Sequence, residues 1–380
     1  MRILHVLNEV VDTGNGIVNA TVDLACTQAS SGNDVWVISS GGGYVEFLAR
    51  HNVRHVQITL RPRSVFQILR DLPRLKTRLN EIQPDIVHAH MMTGAVLMRL
   101  GRSIGGFGNY GLVTTVHNEW RHSSHLMRVG DRIIVLSKNA KLTFRQRGFA
   151  EHKLCVVSHG ILNSPRRMGE LQANDETQTL RNAAPLIITV AGMYVRKGIG
   201  DLIQAFGQIA GEFPNAGLLI VGWGPAQNQF EEQSKSVEGS SRIKFKGFVA
   251  SPRALLRQAA IFVLASHTES FPLAIAEARE AGCAVIGTRV GGVPELLEDG
   301  KAGLLVPPSD VEALATVFRR LLRDPQELIC WQRAARSNMD WLSCARMEKD
   351  TMDVYLSLLR ETDANNVGQR NVRLSGRTID

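Results

Sequence analysis

An α/β fold with two parallel-sheet domains is predicted for this chain by three observations. Short apolar runs rich in β-branched residues alternate with segments of helical period, and strands spaced by helices build a parallel sheet covered on both faces. The 380 residues suffice for two domains of ordinary size, each with its own core. A polar, aperiodic stretch from about Asn163 to Ala184 divides the alternating series in two and reads as a linker.

In the first half, strands are expected over 3–7, 35–39, 53–59, 86–88, 112–117, 133–136 and 154–157, with helices over 17–30 and 65–79. The turn Asp12-Thr13-Gly14-Asn15-Gly16 after the first strand invites a dinucleotide-binding reading. Position 19 is Asn where a third glycine belongs, and no acidic residue closes the second strand at Ser39, so the glycines are assigned to close backbone approach to a ligand. His88 and His90 flank Ala89, and alternation sends them to one face. A third nearby ligand is lacking, so they are expected to line a cleft and not to hold a metal. His117 closes its strand and points into the same cleft region.

In the second half, strands are expected over 186–191, 218–221, 245–249 and 260–265, and helices over 201–213, 312–323 and 347–359. Ser309-Asp310-Val311-Glu312 reads as a capping box. Residues 362–380 are polar and aperiodic and are expected to be disordered. The strand 260–265 leads into Ser266-His267-Thr268-Glu269-Ser270-Phe271-Pro272-Leu273, after which helical spacing carries Leu273, Ala276 and Ala281. Pro272 stands near the first helical turn, where its missing N–H costs nothing.

Ligands of open α/β sheets bind beyond the carboxyl ends of the strands, where a helix start offers unpaired N–H groups and a positive dipole end to phosphates. A diphosphate there would lie between Glu269 in the turn and Glu277 in the helix, two acceptors suited to hydroxyls of a sugar and a ribose. Arg196 and Lys197, in another strand-to-helix loop of the same sheet, are the cations placed to face it. Two carboxylates eight apart are weak evidence by themselves, since a solvated helix face explains most such pairs. The residues that follow decide between these readings.

After Glu277 come Ala281-Gly282, then Gly291-Gly292-Val293-Pro294-Glu295, then Gly300-Lys301-Ala302-Gly303. This block resembles the donor-binding half of the retaining glycosyltransferase family four, whose hallmark is a Glu, seven residues and a second Glu ahead of an Ala-Gly turn. The resemblance runs from Met1 to about Glu361 and implies the GT-B fold, two Rossmann-like domains facing each other across a cleft. It places an acceptor domain over 1–165, a nucleotide-sugar domain over 183–345 and a helix over 346–361 that crosses back to the first domain. It further implies retaining, metal-independent transfer of a sugar from a nucleoside diphosphate donor to a hydroxyl, with the donor as co-substrate and no cofactor. Carried onto this sequence, His117 and Glu269 are the catalytic positions, Glu277 meets the ribose, and Gly16, Arg196, Lys197, Phe271, Pro272 and Leu273 surround the donor. Two positions depart from the pattern. Met193 stands where the family has Arg, leaving Arg196 as its substitute, and His159 stands where the family has Asn before Gly160.

The charge pattern bears on partners. Residues 1–165 hold 19 Lys and Arg against 11 Asp and Glu, while the remainder is balanced, so the whole excess of +8 lies in the first half. A basic first domain suits an anionic partner, and the segment 61–79, with Arg70, Arg74, Lys76 and Arg78 among leucines, is a candidate for an anionic membrane surface. Its plainer reading is a surface helix with one face in the core. Aromatics interleaved with the basic residues are sparse, which argues against nucleic acid. The acceptor implied by the family is a glycolipid, a polyprenyl-linked or a saccharide hydroxyl. A sugar-nucleotide epimerase on the same fold and a basic nucleic-acid-binding module are the alternatives. No apolar run approaches the roughly 18 residues of a spanning helix, and the first residues break off at Asn8-Glu9, too early for a signal peptide. Five scattered cysteines without a metal or disulfide spacing complete the expectation of a cytoplasmic protein, peripheral on the membrane at most.

Overall fold

A computed structural model describes residues 1–60, 65–104, 106–119, 122–167 and 185–375, the side chains of 65–71, 122 and 362–375 excepted. Its first sheet holds seven parallel strands, β1 (Arg2–Val6), β2 (Asp34–Ser39), β3 (Arg54–Gln57), β4 (Ile86–Ala89), β5 (Gly111–Val116), β6 (Arg132–Val135) and β7 (Leu154–Val156). Their order is β3-β2-β1-β4-β5-β6-β7. The second sheet holds six parallel strands, β8 (Leu186–Val190), β9 (Gly217–Val221), β10 (Ile243–Gly247), β11 (Ile261–Leu264), β12 (Ala284–Thr288) and β13 (Leu304–Val306). These run β10-β9-β8-β11-β12-β13. Every residue of β4, β5, β11 and β12 is buried, which is why these strands carry apolar residues on both faces and do not alternate with exposed polar ones. Each sheet reverses its winding once, between β1 and β4 and between β8 and β11, and these switch points are where a doubly wound sheet opens a crevice.

The helices are α1 (Gly16–Ser30), α2 (Val45–Arg50), α3 (Val65–Ile82), α4 (Met92–Ser103), α5 (Lys138–Gln146), α6 (Ile199–Ala210), α7 (Gln227–Lys235), α8 (Arg253–Gln258), α9 (Leu273–Ala281), α10 (Val293–Leu296), α11 (Val311–Arg323), α12 (Pro325–Arg336) and α13 (Cys344–Ser375). Local chemistry sets their ends. Asn15 caps α1 by accepting from the Ile17 N–H at 3.1 Å. Gly282 ends α9 in the left-handed conformation at φ 76°, with the Cys283 N–H returning to the Ala278 carbonyl. At α11 the cap lies one residue later than the capping box predicts: Asp310 accepts from the Ala313 N–H at 2.8 Å, because Ser309 is held at φ 58° in the preceding turn. Pro73 does not interrupt α3.

α9 is anchored by Arg279, a guanidinium fully shielded from solvent. Its N–H groups reach the carbonyls of Ala335, Leu296 and Ser337 and the Glu298 carboxylate, at 2.6–2.8 Å. The ends of α10 and α12 are thereby tied to the helix that carries Glu277. Between the two sheets, residues 160–162 run against 342–344, with Ile161 and Leu162 donating to the Leu342 carbonyl and Cys344 donating back to Leu162. α13 then packs on the first sheet, burying Cys344, Met347, Tyr355 and Leu358 beside Ile3, Val22 and Val113.

Two expectations meet this structure differently. The tail from 362, expected to be disordered, continues α13 as far as Ser375, because no proline falls between 344 and 375 to stop the ladder. Residues 376–380 and most of the expected linker, 168–184, lie outside the described residues.

Candidate functional site

The loops after β8 and β11, the two strands at the second switch point, converge. Lys197 lies in a short 3₁₀ turn after β8, and its ammonium pairs with the Glu269 carboxylate in the loop after β11. Both side chains are shielded, at 15% and 5% exposure, so the contact is a partly desolvated ion pair and not a surface one. Ser266 Oγ donates to the same Glu269 oxygen at 2.9 Å. Backbone packing permits no Cβ at two points here. A Cβ on Gly198 (φ 64°) would lie 1.8 Å from the Ala265 carbonyl oxygen, and one on Gly291 (φ 51°) 1.8 Å from that of Glu269. The glycines let three loops close on one another.

Sequence reasoning aimed Lys197 at a diphosphate and Glu269 at a sugar; the structure brings the two into contact. An ammonium has three N–H groups, so the pair with Glu269 leaves two for a phosphate. Arg196 sits beside Lys197 with its guanidinium 5.6 Å from the Tyr194 ring centroid, and its carbonyl accepts from the His267 N–H. Pro272 is the capping residue of α9, one position earlier than the expected first turn, and the Leu273 and Ala274 N–H groups are unpaired among the described residues. Glu277 stands one turn into α9 and makes no hydrogen bond among the described residues. Burial raises its carboxyl above the usual range, with Arg167 and Arg166 pulling it back down. Phe271 is buried, edge-on to Trp341 and to His159. Across the cleft, the position of a Gly16 Cβ lies 3.6 Å from Leu273 Cδ1, and Gly14 faces the Phe248 ring. The first-domain glycine loop thus meets the start of α9.

On the first-domain side, five histidines lie together in the interior: His5, His88, His90, His117 and His159. Parallel pairing sets His5 beside His88. His5 Nδ1 is 3.0 Å from His90 Nε2, and His90 Nδ1 is 3.3 Å from His117 Nε2. The His117 ring stacks on His159 at 5.3 Å between centroids. Burial is the largest cause of depressed basicity in all five, to about 4 for His5 and about 3 for His159. They are therefore neutral imidazoles at neutral pH.

The expectation for His88 and His90 holds for the lining and needs correcting for the metal. Both line a small cavity together with Thr115, His117 and His159, where His88 is held between the Tyr355 hydroxyl of α13 and Thr115 Oγ1, both at 2.6 Å, and His90 points toward His5 and His117. A third ligand is not missing. Ring nitrogens of His5, His88 and His90 lie within 4.8 Å of one another. His5 was overlooked because it is 83 residues away and reaches the pair only through sheet pairing. Each of their six ring nitrogens already takes part in a hydrogen bond.

Glu119 was also overlooked. Its N–H donates to Ser270 Oγ at 3.2 Å, joining the loop after β5 to the loop of Glu269. Its carboxyl is pushed up to about 7, chiefly by burial. On α3, Leu75 and Leu79 enter the core while Arg74, Lys76 and Arg78 are exposed; the side chain of Arg70 lies outside the described residues. Among the described residues no helix is long and apolar enough to cross a membrane.

Comparison with known proteins follows the same division. Residues 14–162 match the family model Glycosyltransferase Family 4, and residues 172–338 match Glycosyl transferases group 1. N-acetyl-alpha-D-glucosaminyl L-malate synthase of Bacillus anthracis is 25% identical, covering 92% of this chain and 95% of its own. Alpha-monoglucosyldiacylglycerol synthase of Acholeplasma laidlawii is 24% identical over 93% and 95%. Among solved structures, Anabaena HepE in complex with UDP and glucose superposes with a TM-score of 0.79 at 19% identity, over 94% of this chain and 100% of that one. The likeness in structure establishes the two-domain GT-B architecture.

Proposed function

Because the chain belongs to the glycosyltransferases, Glycosyltransferase Family 4 in its first domain and glycosyl transferases group 1 in its second, we propose that it moves a sugar from a nucleoside diphosphate donor to a hydroxyl acceptor. The transfer retains the anomeric configuration and uses no metal ion. The observation that carries this reading is the convergence, at the switch point of the second sheet, of Arg196, Lys197, Glu269 and the N–H groups that open α9, unpaired among the described residues. Cations and a helix start supply the electrostatic stabilisation of a departing diphosphate that a divalent ion supplies elsewhere.

In the proposed step the bond from the anomeric carbon to the diphosphate oxygen breaks, and its electron pair leaves with the phosphate. The acceptor oxygen attacks from the same face, and its proton passes to that phosphate oxygen. Glu269 orients the donor sugar, Glu277 accepts from ribose hydroxyls, and His117 lies at the reaction centre. Phe271, Pro272, Leu273 and Gly16 close the donor between the domains. The acceptor is a glycolipid, polyprenyl-linked or saccharide hydroxyl, in cell-surface polysaccharide or glycolipid synthesis on the inner face of the membrane. Two relatives named a putative colanic acid biosynthesis glycosyltransferase and an alpha-monoglucosyldiacylglycerol synthase support this class.

A thermal-shift screen against UDP-, GDP- and ADP-sugars, with single-stranded DNA alongside, tests the reading. One sugar nucleotide should raise the melting temperature and DNA should not. Transfer to acceptor should persist in EDTA; loss of turnover restored by Mg²⁺ or Mn²⁺ overturns the metal-independent mechanism. A donor isomerised without acceptor would assign the epimerase instead.

A further inference from the structure

We infer that Gln28, His5 and His90 are positioning residues that hold His117 in one tautomer, with its proton on Nε2, so that Nδ1 presents a fixed lone pair to a substrate hydroxyl. The inference deepens the proposed function, since it rests on His117 lying at the reaction centre.

The direction of the chain follows from its far end. Gln28 is fully buried, and its amide nitrogen lies 3.7 Å from Met352 Sδ, a thioether that can only accept. The amide oxygen is therefore the atom that faces His5 Nε2, at 2.7 Å, and His5 must donate to it. A neutral imidazole carries one N–H, so His5 Nδ1 accepts, and the proton in its 3.0 Å contact comes from His90 Nε2. His90 Nδ1 in turn accepts, so the proton in the 3.3 Å contact comes from His117 Nε2. One proton per ring, passed along three rings, leaves His117 Nδ1 without a proton.

That atom is buried and has no hydrogen-bond partner among the described residues. A desolvated acceptor left unmade is costly, and a substrate hydroxyl is the group able to satisfy it. The relay requires all three rings neutral, and their burial keeps them so at neutral pH. Without the relay the two neutral tautomers of His117 would compete, and only one of them offers an acceptor at Nδ1. The relay begins on α1 and β1 and reaches the site through β4, so residues far from the cleft settle the chemistry at its centre.

The test uses the full chain labelled with ¹⁵N-histidine. Two-bond nitrogen–proton correlation spectra report which ring nitrogen is protonated, and the His117 signals are assigned by their loss in His117→Gln. In the unsubstituted protein His117 should carry its proton on Nε2 throughout about pH 6.5–8. Gln28→Leu removes the terminal acceptor, and His117 should then show both tautomers. Turnover should fall roughly tenfold, the scale of one buried hydrogen bond, with the KM for donor changed much less. Should Gln28→Leu not fold, Gln28→Met, which removes the same acceptor while keeping an unbranched side chain of similar length, gives the same spectral readout.

A proton on His117 Nδ1, an unchanged His117 spectrum in a folded variant, or stoichiometric zinc in the purified protein each overturns the relay. The spectra need no substrate, so a protein that shows the expected tautomer but transfers no sugar refutes the proposed function and leaves the relay standing.

Discussion

Acidification should unfold this protein from its first domain. The five interior histidines are depressed by burial, and among the described residues no carboxylate shifts any of them; the groups that do are one another, Gln28 and Arg346. In the unfolded chain each would titrate near 6.5. Below that pH the unfolded state therefore binds protons that the folded state refuses, until the pH reaches the folded values, about 4 for His5 and about 3 for His159. Their stabilising effect is thus complete above 6.5 and is lost as the pH falls.

Integrating over the first pH unit below 6.5 gives a loss of about 1 kcal/mol per histidine, about 5 kcal/mol for the cluster. Glu119 works the other way, because its carboxyl is raised to about 7 and the folded state already holds that proton. It returns about 1 kcal/mol over the same unit. Glu277, raised by burial, acts in the same sense. The net loss is then at most about 4 kcal/mol, a large share of the 5–15 kcal/mol typical of a domain. Urea unfolding at about pH 7.5, 6.5 and 5.5, read by hydrogen exchange of peptides from β4 and β5, should show the midpoint falling steeply over the last step. Peptides from β11 and β12 serve as the internal control, since none of the five histidines lies in the second sheet. A midpoint that holds steady or rises between pH 6.5 and 5.5 would refute the argument, as would ring titrations near 6.5 in the folded protein.

The two glutamates should separate binding from turnover. Glu277→Ala should weaken the free nucleoside diphosphate about 10- to 150-fold, the worth of one hydrogen bond to a charged group, whereas Glu269→Ala should lower turnover and leave nucleotide binding nearly intact. Calorimetry on both variants decides, and equal losses of nucleotide affinity would sink the division of roles. Arg279→Met strands three carbonyls and the Glu298 carboxylate in the interior, so the second domain should lose about 3–5 kcal/mol by denaturant titration; a loss under about 1 kcal/mol contradicts the anchoring role given to Arg279. If the exposed Arg74, Lys76 and Arg78 meet a membrane, the protein should sediment with anionic vesicles at low salt, and Glu at all three positions should abolish this without changing the melting temperature. Unchanged sedimentation returns α3 to the plain role of a surface helix.

What the sequence determined by itself was what local chemistry governs. Buried parallel strands announce themselves as short β-branched runs, the start of α11 is legible to within one residue from the capping box at Ser309, and the turn carrying Glu269 is placed between strand and helix by the apolar run before it and by Pro272 after it. The spacing of Glu269 and Glu277 belongs to one loop and one helix, so it too could be read along the chain. The tertiary structure decided what depends on strand order. The contact of Lys197 with Glu269 requires β8 beside β11, the histidine cluster requires β1 beside β4 and β5 beyond it, and the contact of His88 with Tyr355 requires α13 to return across the whole chain. Parallel strands are joined through crossovers and share no sequence neighbourhood, so the residues they bring into hydrogen-bond distance carry no common local signal. The environment is likewise a property of the packed state: burial makes five histidines neutral, one ring nitrogen of His117 is left unpaired among the described residues, and neither fact is written in the identity of the residues.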